Sequence, residues 1–109
     1  MIRRQSYVDS AAKIRKWARK QNPNITFGYR LPDYGTHSLT EMDKDDIDFE
    51  DLLYTLKTGS VTSTTDVDGE LRHQVEGKNI DGRELVFVVN LFDEREEIEI
   101  VTAWAKDRR

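Results

Sequence analysis

The chain has 109 residues, the size of one domain, and its lack of cysteine excludes disulfides, thiolate zinc sites and cysteine nucleophiles. Hydrophobic residues make up 37% and charged residues 35% of the chain, a thin apolar content for a domain that stands alone, so we expect a protein partner or a homodimer contact over part of its surface. No apolar run reaches the roughly 18 residues of a membrane span, and we expect a cytoplasmic protein with no metal or other cofactor.

The net charge of −4 is divided unevenly along the chain. Residues 1–31 hold eight lysines and arginines against one acid, whereas residues 32–109 hold nine against twenty. A split of this size predicts a basic N-terminal helical extension that meets an acidic surface. That surface belongs either to a nucleic acid or to the acidic remainder of this chain or of a second copy.

The first predicted element is a helix over residues 6–21, with Ser6 as its N-cap and Asp9 in its first turn. Its apolar residues follow one stripe, with Trp17 beside it: Tyr7, Ala11, Ile14 and Ala18. Bases occupy the rest of the circumference: Lys13, Arg15, Lys16, Arg19 and Lys20. Residues 25–30 alternate as a short strand does, and residues 31–35 predict a loop.

Two more helices are predicted before the pattern changes. The first starts near His37, where Ser38 is placed as N-cap and Glu41 closes a capping box. The second covers residues 49–57 after Asp48 as N-cap, and Gly59 suits the left-handed position that follows a helix. The acids at 43, 45, 46 and 48 lack the glycine turn and distal glutamate of a calcium loop, which predicts a solvated surface.

From residue 60 the apolar period becomes two, and Asp68-Gly69 and Asp81-Gly82 are hairpin signals. Strands are predicted over residues 61–65, 71–76, 85–89 and 97–104, joined as an antiparallel meander with the N-terminal helices on one face. The whole chain, 1–109, is thus predicted to be one α+β domain. Alternation in the last strand puts Trp104 on the same face as Ile98 and Ile100, which predicts a core position for it.

Several short motifs occur in a characteristic order between residues 36 and 106: His37-Ser38-Leu39-Thr40-Glu41-Met42, residues 47–53, Leu56-Lys57-Thr58-Gly59, residues 72–77, Asp81-Gly82-Arg83 and Val101-Thr102-Ala103-Trp104. In this order they resemble the family called domain of unknown function 4258, which is distantly similar to RelE/ParE- and BrnT-type toxins. The resemblance implies a RelE-like fold, an antitoxin as partner and, as in many such toxins, cleavage of mRNA. The family commonly has arginines where this chain has Glu41 and Asp45, so cations for a phosphate are missing there.

Metal-independent RNA cleavage needs a base, an acid and a cation for the charged phosphorane. The candidate acid–base residues are His37, His73 and Glu41, and the candidate cations are Arg72 and Arg83. The basic helix, with Lys13, Arg15, Lys16, Arg19 and Lys20, would hold RNA, and Trp104 or Tyr34 would stack a base. Structural roles compete with each assignment: His37 as an ordinary helix-start residue, His73 as a plain surface or sheet residue, Glu41 as a capping residue and Trp104 as core.

The rival hypothesis is a non-catalytic protein-interaction module. Its acidic domain would bind a basic partner, or its basic helix would bind an acidic one. A small regulator that binds DNA through the basic helix is a third alternative, without a helix-turn-helix pattern to support it. The hypotheses differ in geometry: a ribonuclease predicts His37 and a cation in one cleft, whereas an interaction module predicts scattered histidines.

Overall fold

Three helices and a five-stranded mixed sheet make up this α+β protein, whose computed structural model describes residues 7–28, 30–31 and 35–107. The helices are α1 (Tyr7–Ala18), α2 (His37–Lys44) and α3 (Phe49–Thr58). The strands of the sheet are β1 (Asn24–Phe27), β4 (Ser60–Val67), β5 (Glu70–Lys78), β6 (Glu84–Phe92) and β7 (Glu97–Ala105), and a separate two-stranded ladder joins β2 (Arg30–Leu31) and β3 (Gly35–Thr36). The predicted loop at 31–35 therefore begins and ends in paired backbone.

The first helix is confirmed, and it is part of the core. Ile14, Trp17 and Ala18 are all buried on the apolar stripe that the sequence predicted. Asp9 lies in the first turn as expected, while the predicted N-cap Ser6 falls outside the described residues. Ser10 is fully buried too, although its polarity gave no hint of this.

The third helix begins as predicted and ends differently. Asp48 accepts the amide of Asp51 at 2.8 Å, and the Asp51 carboxylate accepts the Asp48 amide at 3.1 Å, so the N-terminus is closed reciprocally. The prediction of a left-handed Gly59 is wrong, because its φ is −80° in extended backbone. A glycine is needed there for another reason: a Cβ would lie 2.7 Å from the carbonyl oxygens of both Thr55 and Glu76.

The capping box predicted for the second helix is also wrong. The helix already includes His37, so Ser38 lies inside it and is fully buried, with no hydrogen-bond partner for its hydroxyl among the described residues. Burial of Ser38 against the core thus prevails over its preference for a helix end. Met42, one turn further along the same face, joins the hydrophobic core.

The predicted meander is confirmed for β4 to β7, but the sheet is larger than the four antiparallel strands expected. At the first hairpin Asp68 and Gly69 have φ of 53° and 89°, as a tight turn with two left-handed residues requires. The fifth strand, β1, pairs with β7 in parallel, with Ile25 opposite Ile98 and Phe27 opposite Ile100. The sheet order is therefore β1-β7-β6-β5-β4.

A bulge corrects the predicted position of Trp104. Val88 pairs with Thr102 but the next residue, Val89, pairs with Ile100, so Val101 is an extra residue in β7. The extra residue reverses the alternation that follows it: Ile98, Ile100, Ala103 and Ala105 all belong to the core beneath the helices. Trp104 instead lies opposite Val86 on the other face and is half-buried.

The α2–α3 corner covers the half of the β7 edge that β1 leaves unpaired. Asp45, only 7% exposed, accepts the Ala105 amide through Oδ2 at 2.8 Å. A buried amide at a sheet edge needs such a partner, because it has lost its hydrogen bonds to water. None of the helices in the described part of the chain is long and apolar enough to cross a membrane.

Candidate functional site

Four of the five cations predicted to hold RNA on α1 contact the protein's own surface. Lys13 pairs with Asp93 at 2.9 Å and Lys20 with Glu96 at 2.6 Å, and the latter hydrogen bond holds the pKa of Glu96 below its usual value. These acids lie in the turn Asp93–Arg95 between β6 and β7 and directly after it. The α1 helix therefore docks its charges on the acidic half of the chain.

The two arginines of the predicted basic set, one in α1 and one directly after it, point towards the end of α3. Arg15 donates to the carbonyl oxygen of Gly59 at 3.0 Å, and Arg19 donates to that of Lys57 at 3.2 Å. The last carbonyls of a helix lack partners within the helix and carry partial negative charge, so guanidinium groups are favourable there. Three members of the predicted basic set are exposed: Lys16, Arg19 and Lys20.

His73 lies under the helices rather than on an open surface. It is 1% exposed and opposite the core residue Val89, while its neighbour Arg72 is opposite Asn90 on the other face, as strand alternation requires. Its Nδ1 lies 2.9 Å from the hydroxyl of Thr64. Burial, followed by the nearby Lys13 charge, lowers the pKa of His73 below 6.5, which keeps the imidazole neutral at neutral pH.

The two candidate cations are in different places, and both contact acids. Arg72 lies 3.7 Å from Glu70 on β5. Arg83, after the β5–β6 turn, donates to the Asp107 carboxylate at 3.1 Å and to the Asp46 carbonyl oxygen at 3.0 Å. The hydrogen bond to Asp107 is the main cause of the raised pKa of Arg83. Arg83 thus ties the turn to the C-terminal segment and the α2–α3 corner.

Two predicted site residues lie on α2 at its junction with β7. His37 and Glu41 are one helical turn apart on α2, and the His37 Nε2 is 3.4 Å from the Thr102 hydroxyl. Trp104 is two residues further along β7 and so shares the face of Thr102. The Glu41 side chain is 18% exposed and lies 3.7 Å from Lys44. His73, Arg72 and Arg83 are not part of this junction, and Tyr34 lies outside the described residues.

A cleft that the sequence did not indicate opens where β5 and β6 separate. The two strands pair from Lys78↔Glu84 as far as Arg72↔Asn90, and beyond that point each continues against its outer neighbour, β4 or β7. The space between them has a volume of about 270 Å³. Its lining combines buried polar groups, carboxylates and apolar side chains: Glu70, Leu71, His73, Asn90, Phe92 and Asp93.

Asn90 is the most informative residue of this cleft. It is 5% exposed, and its Nδ2 donates to Glu99 at 2.9 Å and to Glu70 at 3.4 Å. Its Oδ1 is buried with no hydrogen-bond partner in the described part of the chain. The sequence signalled it only as a polar residue ending the apolar run 85–89, and where two strands separate is not encoded in the period of either strand.

The comparisons with known proteins place the chain in a family without naming a function. Within the described ranges no three histidines, aspartates or glutamates form a group that could hold a metal ion. No curated protein and no solved structure matches the chain. A family model described as "Domain of unknown function (DUF4258)" matches residues 34–105, which is more than half of the sequence. The chain belongs to the DUF4258 family.

Proposed function

We propose that this chain is a non-catalytic protein-interaction module whose acidic body binds a basic partner protein. The observation that carries the proposal is the docking of α1: Lys13, Lys20, Arg15 and Arg19 are held by acids and carbonyl oxygens of the same chain. These cations thus contact the same chain, and their side chains remain partly exposed. A net charge of −4 favours association with a positively charged surface.

The distribution of exposed side chains supports the same function. Acidic residues are exposed on the α2–α3 corner and on the β5–β6 turn: Asp43, Asp46, Asp48, Glu50 and Asp81. Exposed apolar side chains accompany them, with Ile80 77% and Phe49 45% exposed. Apolar groups within a charged rim are typical of protein interfaces.

The resemblance to RelE/ParE- and BrnT-type toxins makes a basic antitoxin in the cytoplasm the partner class we propose, on a RelE-like arrangement of helices and meander. A homodimer through the acidic surface would place like charges against each other, so we propose a partner outside this chain. Under this proposal the two histidines serve the fold, which agrees with their separation into a buried site and the α2–β7 junction.

A direct test measures binding of two labelled peptides, one rich in lysine and arginine and one rich in glutamate, by fluorescence anisotropy at low and high salt. We expect the basic peptide alone to bind, with an affinity that falls as salt rises, because exposed charges are screened over about 10 Å at moderate ionic strength. Lys16→Gln is the matched control and should leave this binding unchanged or strengthen it. Preferential binding of the acidic peptide would sink the proposal.

The second candidate function is a metal-independent mRNA endoribonuclease, acting as the toxin of a toxin–antitoxin pair. The specific observation in its favour is the α2–β7 junction, where His37 and Glu41 put an imidazole and a carboxylate one helical turn apart and His37 contacts Thr102. In this mechanism His37 and Glu41 exchange protons with the 2′-hydroxyl and the leaving 5′-oxygen.

Inducible expression in a bacterial host separates the two candidates. The interaction module predicts normal growth and intact total mRNA for the natural sequence. Growth arrest with mRNA loss, abolished by His37→Ala and weakened by Glu41→Gln, would instead establish the ribonuclease. His73→Gln is the control in that case, because a catalytic role at the α2–β7 junction does not require a histidine buried beneath α1.

A further inference from the structure

The cleft between β5 and β6 is rich in acceptors, and the described residues that line it include no lysine or arginine. The carboxylates of Glu70 and Asp93 lie at its rim, and their side chains are 52% and 66% exposed. The partners that they have in the fold, Arg72 at 3.7 Å and Lys13 at 2.9 Å, form exposed or half-exposed pairs. Such pairs contribute little to stability, so a competing cation can displace them.

The orientation of the Asn90 amide is a second, independent indication that the cleft binds a hydrogen-bond donor. Carboxylates only accept hydrogen bonds, so Glu99 and Glu70 fix Nδ2 on their side and turn Oδ1 away from them. Oδ1 is therefore a buried acceptor without a donor in the described part of the chain. A buried polar group left unpaired destabilises the fold, and a ligand that donates to it removes this penalty.

The size of the cleft limits what can fill it. Its volume of about 270 Å³ is below the roughly 300–1,000 Å³ of pockets for small-molecule ligands and cofactors. Phe92, two residues from Asn90 and on the same face of β6, provides an apolar wall for a short aliphatic stem. A guanidinium has five donors in a planar fork, so it can meet acceptors from several directions, whereas an ammonium is a point charge.

We propose that the β5–β6 cleft binds the side chain of one arginine from the basic partner protein. The guanidinium donates to Asn90 Oδ1 and pairs with Glu70, and its stem packs on the apolar wall. The inference rests on the proposed function, because it names the group through which the partner is recognised.

The test uses N-acetyl-arginine methylamide as the probe and the uncharged N-acetyl-citrulline methylamide as its control, followed by NMR on the full chain. We expect the arginine probe to shift the Asn90 side-chain amide and the His73 ring resonances in a saturable way, and the citrulline probe to shift neither. Glu70→Gln should weaken the arginine probe about twofold to fivefold, as for an exposed ion pair. Glu84→Gln, at the other end of β6, is the charge-matched control and should have no effect.

Equal shifts by the two probes, or shifts elsewhere on the surface only, would overturn the assignment. Asn90→Leu tests the buried acceptor separately and should weaken the arginine probe, with its own spectrum reporting whether the fold is intact. If the basic peptide binds while the probe leaves the cleft unchanged, the cleft is wrong and the interaction module stands. If the probe occupies the cleft while the basic peptide does not bind, the cleft stands and the module fails.

Discussion

At the scale of single residues, His73 shows how burial decides what a histidine can do. Its ring is 1% exposed and its Nδ1 is 2.9 Å from Thr64. Loss of water disfavours the charged imidazolium, and the neighbouring Lys13 adds repulsion, so its pKa falls below 6.5. The folded chain therefore binds a proton at this ring less readily than the unfolded chain does.

This difference predicts that the free energy of unfolding falls as pH drops below about 6.5, because there the unfolded state binds a proton that the folded state does not. Urea unfolding at a series of pH values measures the slope. His73→Gln should remove this part of the slope, and Lys13→Gln should reduce it by removing the repulsion. An unchanged slope in His73→Gln would contradict the assignment.

Asp45 illustrates a residue whose family position suggests one role and whose contacts show another. Its buried carboxylate accepts the Ala105 amide at 2.8 Å, at the edge of the sheet. An arginine in its place would present N–H donors to the Ala105 amide, which is itself a donor. A carboxylate accepts this hydrogen bond, so an acid suits the edge of β7. The acidic residue at position 45 is therefore a structural feature of the β7 edge.

We expect Asp45→Ala to lower the free energy of unfolding by about 1–3 kcal/mol, because it leaves a buried amide without its acceptor. Asp45→Asn should be milder, since the amide oxygen can still accept. Asp43→Ala, an exposed position near the end of α2, is the control and should remain within about 0.5 kcal/mol. Chemical denaturation of the three variants measures the differences, and equal losses at 43 and 45 would refute the edge role of Asp45.

At the scale of elements, the features that depend on residues close together in the chain could be predicted from local patterns. The α1 stripe, the N-cap at Asp48 and the Asp68-Gly69 turn were all recognisable, because each depends on residues within one or two turns of chain. The parallel pairing of β1 with β7 and the bulge at Val101 depend on partners far apart in sequence. The position of Trp104 was predicted wrongly for this reason, since one extra residue reverses every later side chain.

The same limit applies to the candidate sites. Strand alternation correctly separated His73 from Arg72, because it depends only on neighbouring residues of one strand. The β5–β6 cleft arises where two strands follow different outer neighbours, which is a property of the whole sheet. Asn90 acquires its unpartnered oxygen from the positions of Glu70 and Glu99, and neither is its neighbour in sequence.

Gly59 provides a test of the corrected helix end. At a left-handed position asparagine is the best replacement for glycine, whereas at a site of close backbone approach every side chain is excluded. We expect Gly59→Asn to destabilise at least as much as Gly59→Ala, each by about 1–3 kcal/mol, because the Cβ meets two carbonyl oxygens at 2.7 Å.

Gly69 is the matched comparison for this prediction, with φ of +89° and no atom within 4 Å of the position that a Cβ would take. There, asparagine should be tolerated better than alanine. Thermal and urea unfolding of the four variants gives the two orders. An asparagine preference at Gly59 would mean that the end of α3 is left-handed after all.

At the scale of the whole molecule, contacts within the fold partly compensate the uneven distribution of charge along the sequence. The basic N-terminal segment and the acidic remainder meet along α1, so the split along the sequence becomes a contact in space. The contact is apolar at its centre, where Ile14, Trp17 and Ala18 join the core formed by the meander. The DUF4258 match begins at residue 34 and leaves α1 out, yet α1 closes the core of the matched region.

Trp17→Ala tests whether α1 is an integral part of this domain or an appendage. Trp17 is 4% exposed within the core, so we expect a loss of about 3–5 kcal/mol in the free energy of unfolding, in one cooperative transition. Trp104→Ala, half-buried on the opposite face, should lose less. Urea unfolding followed by far-ultraviolet circular dichroism measures both. A loss below about 1 kcal/mol for Trp17→Ala, or a separate early transition of α1, would show that the helix is an appendage. Its cations would then be available to an external partner. The proposal of an acidic binding module would in that case lose its main support.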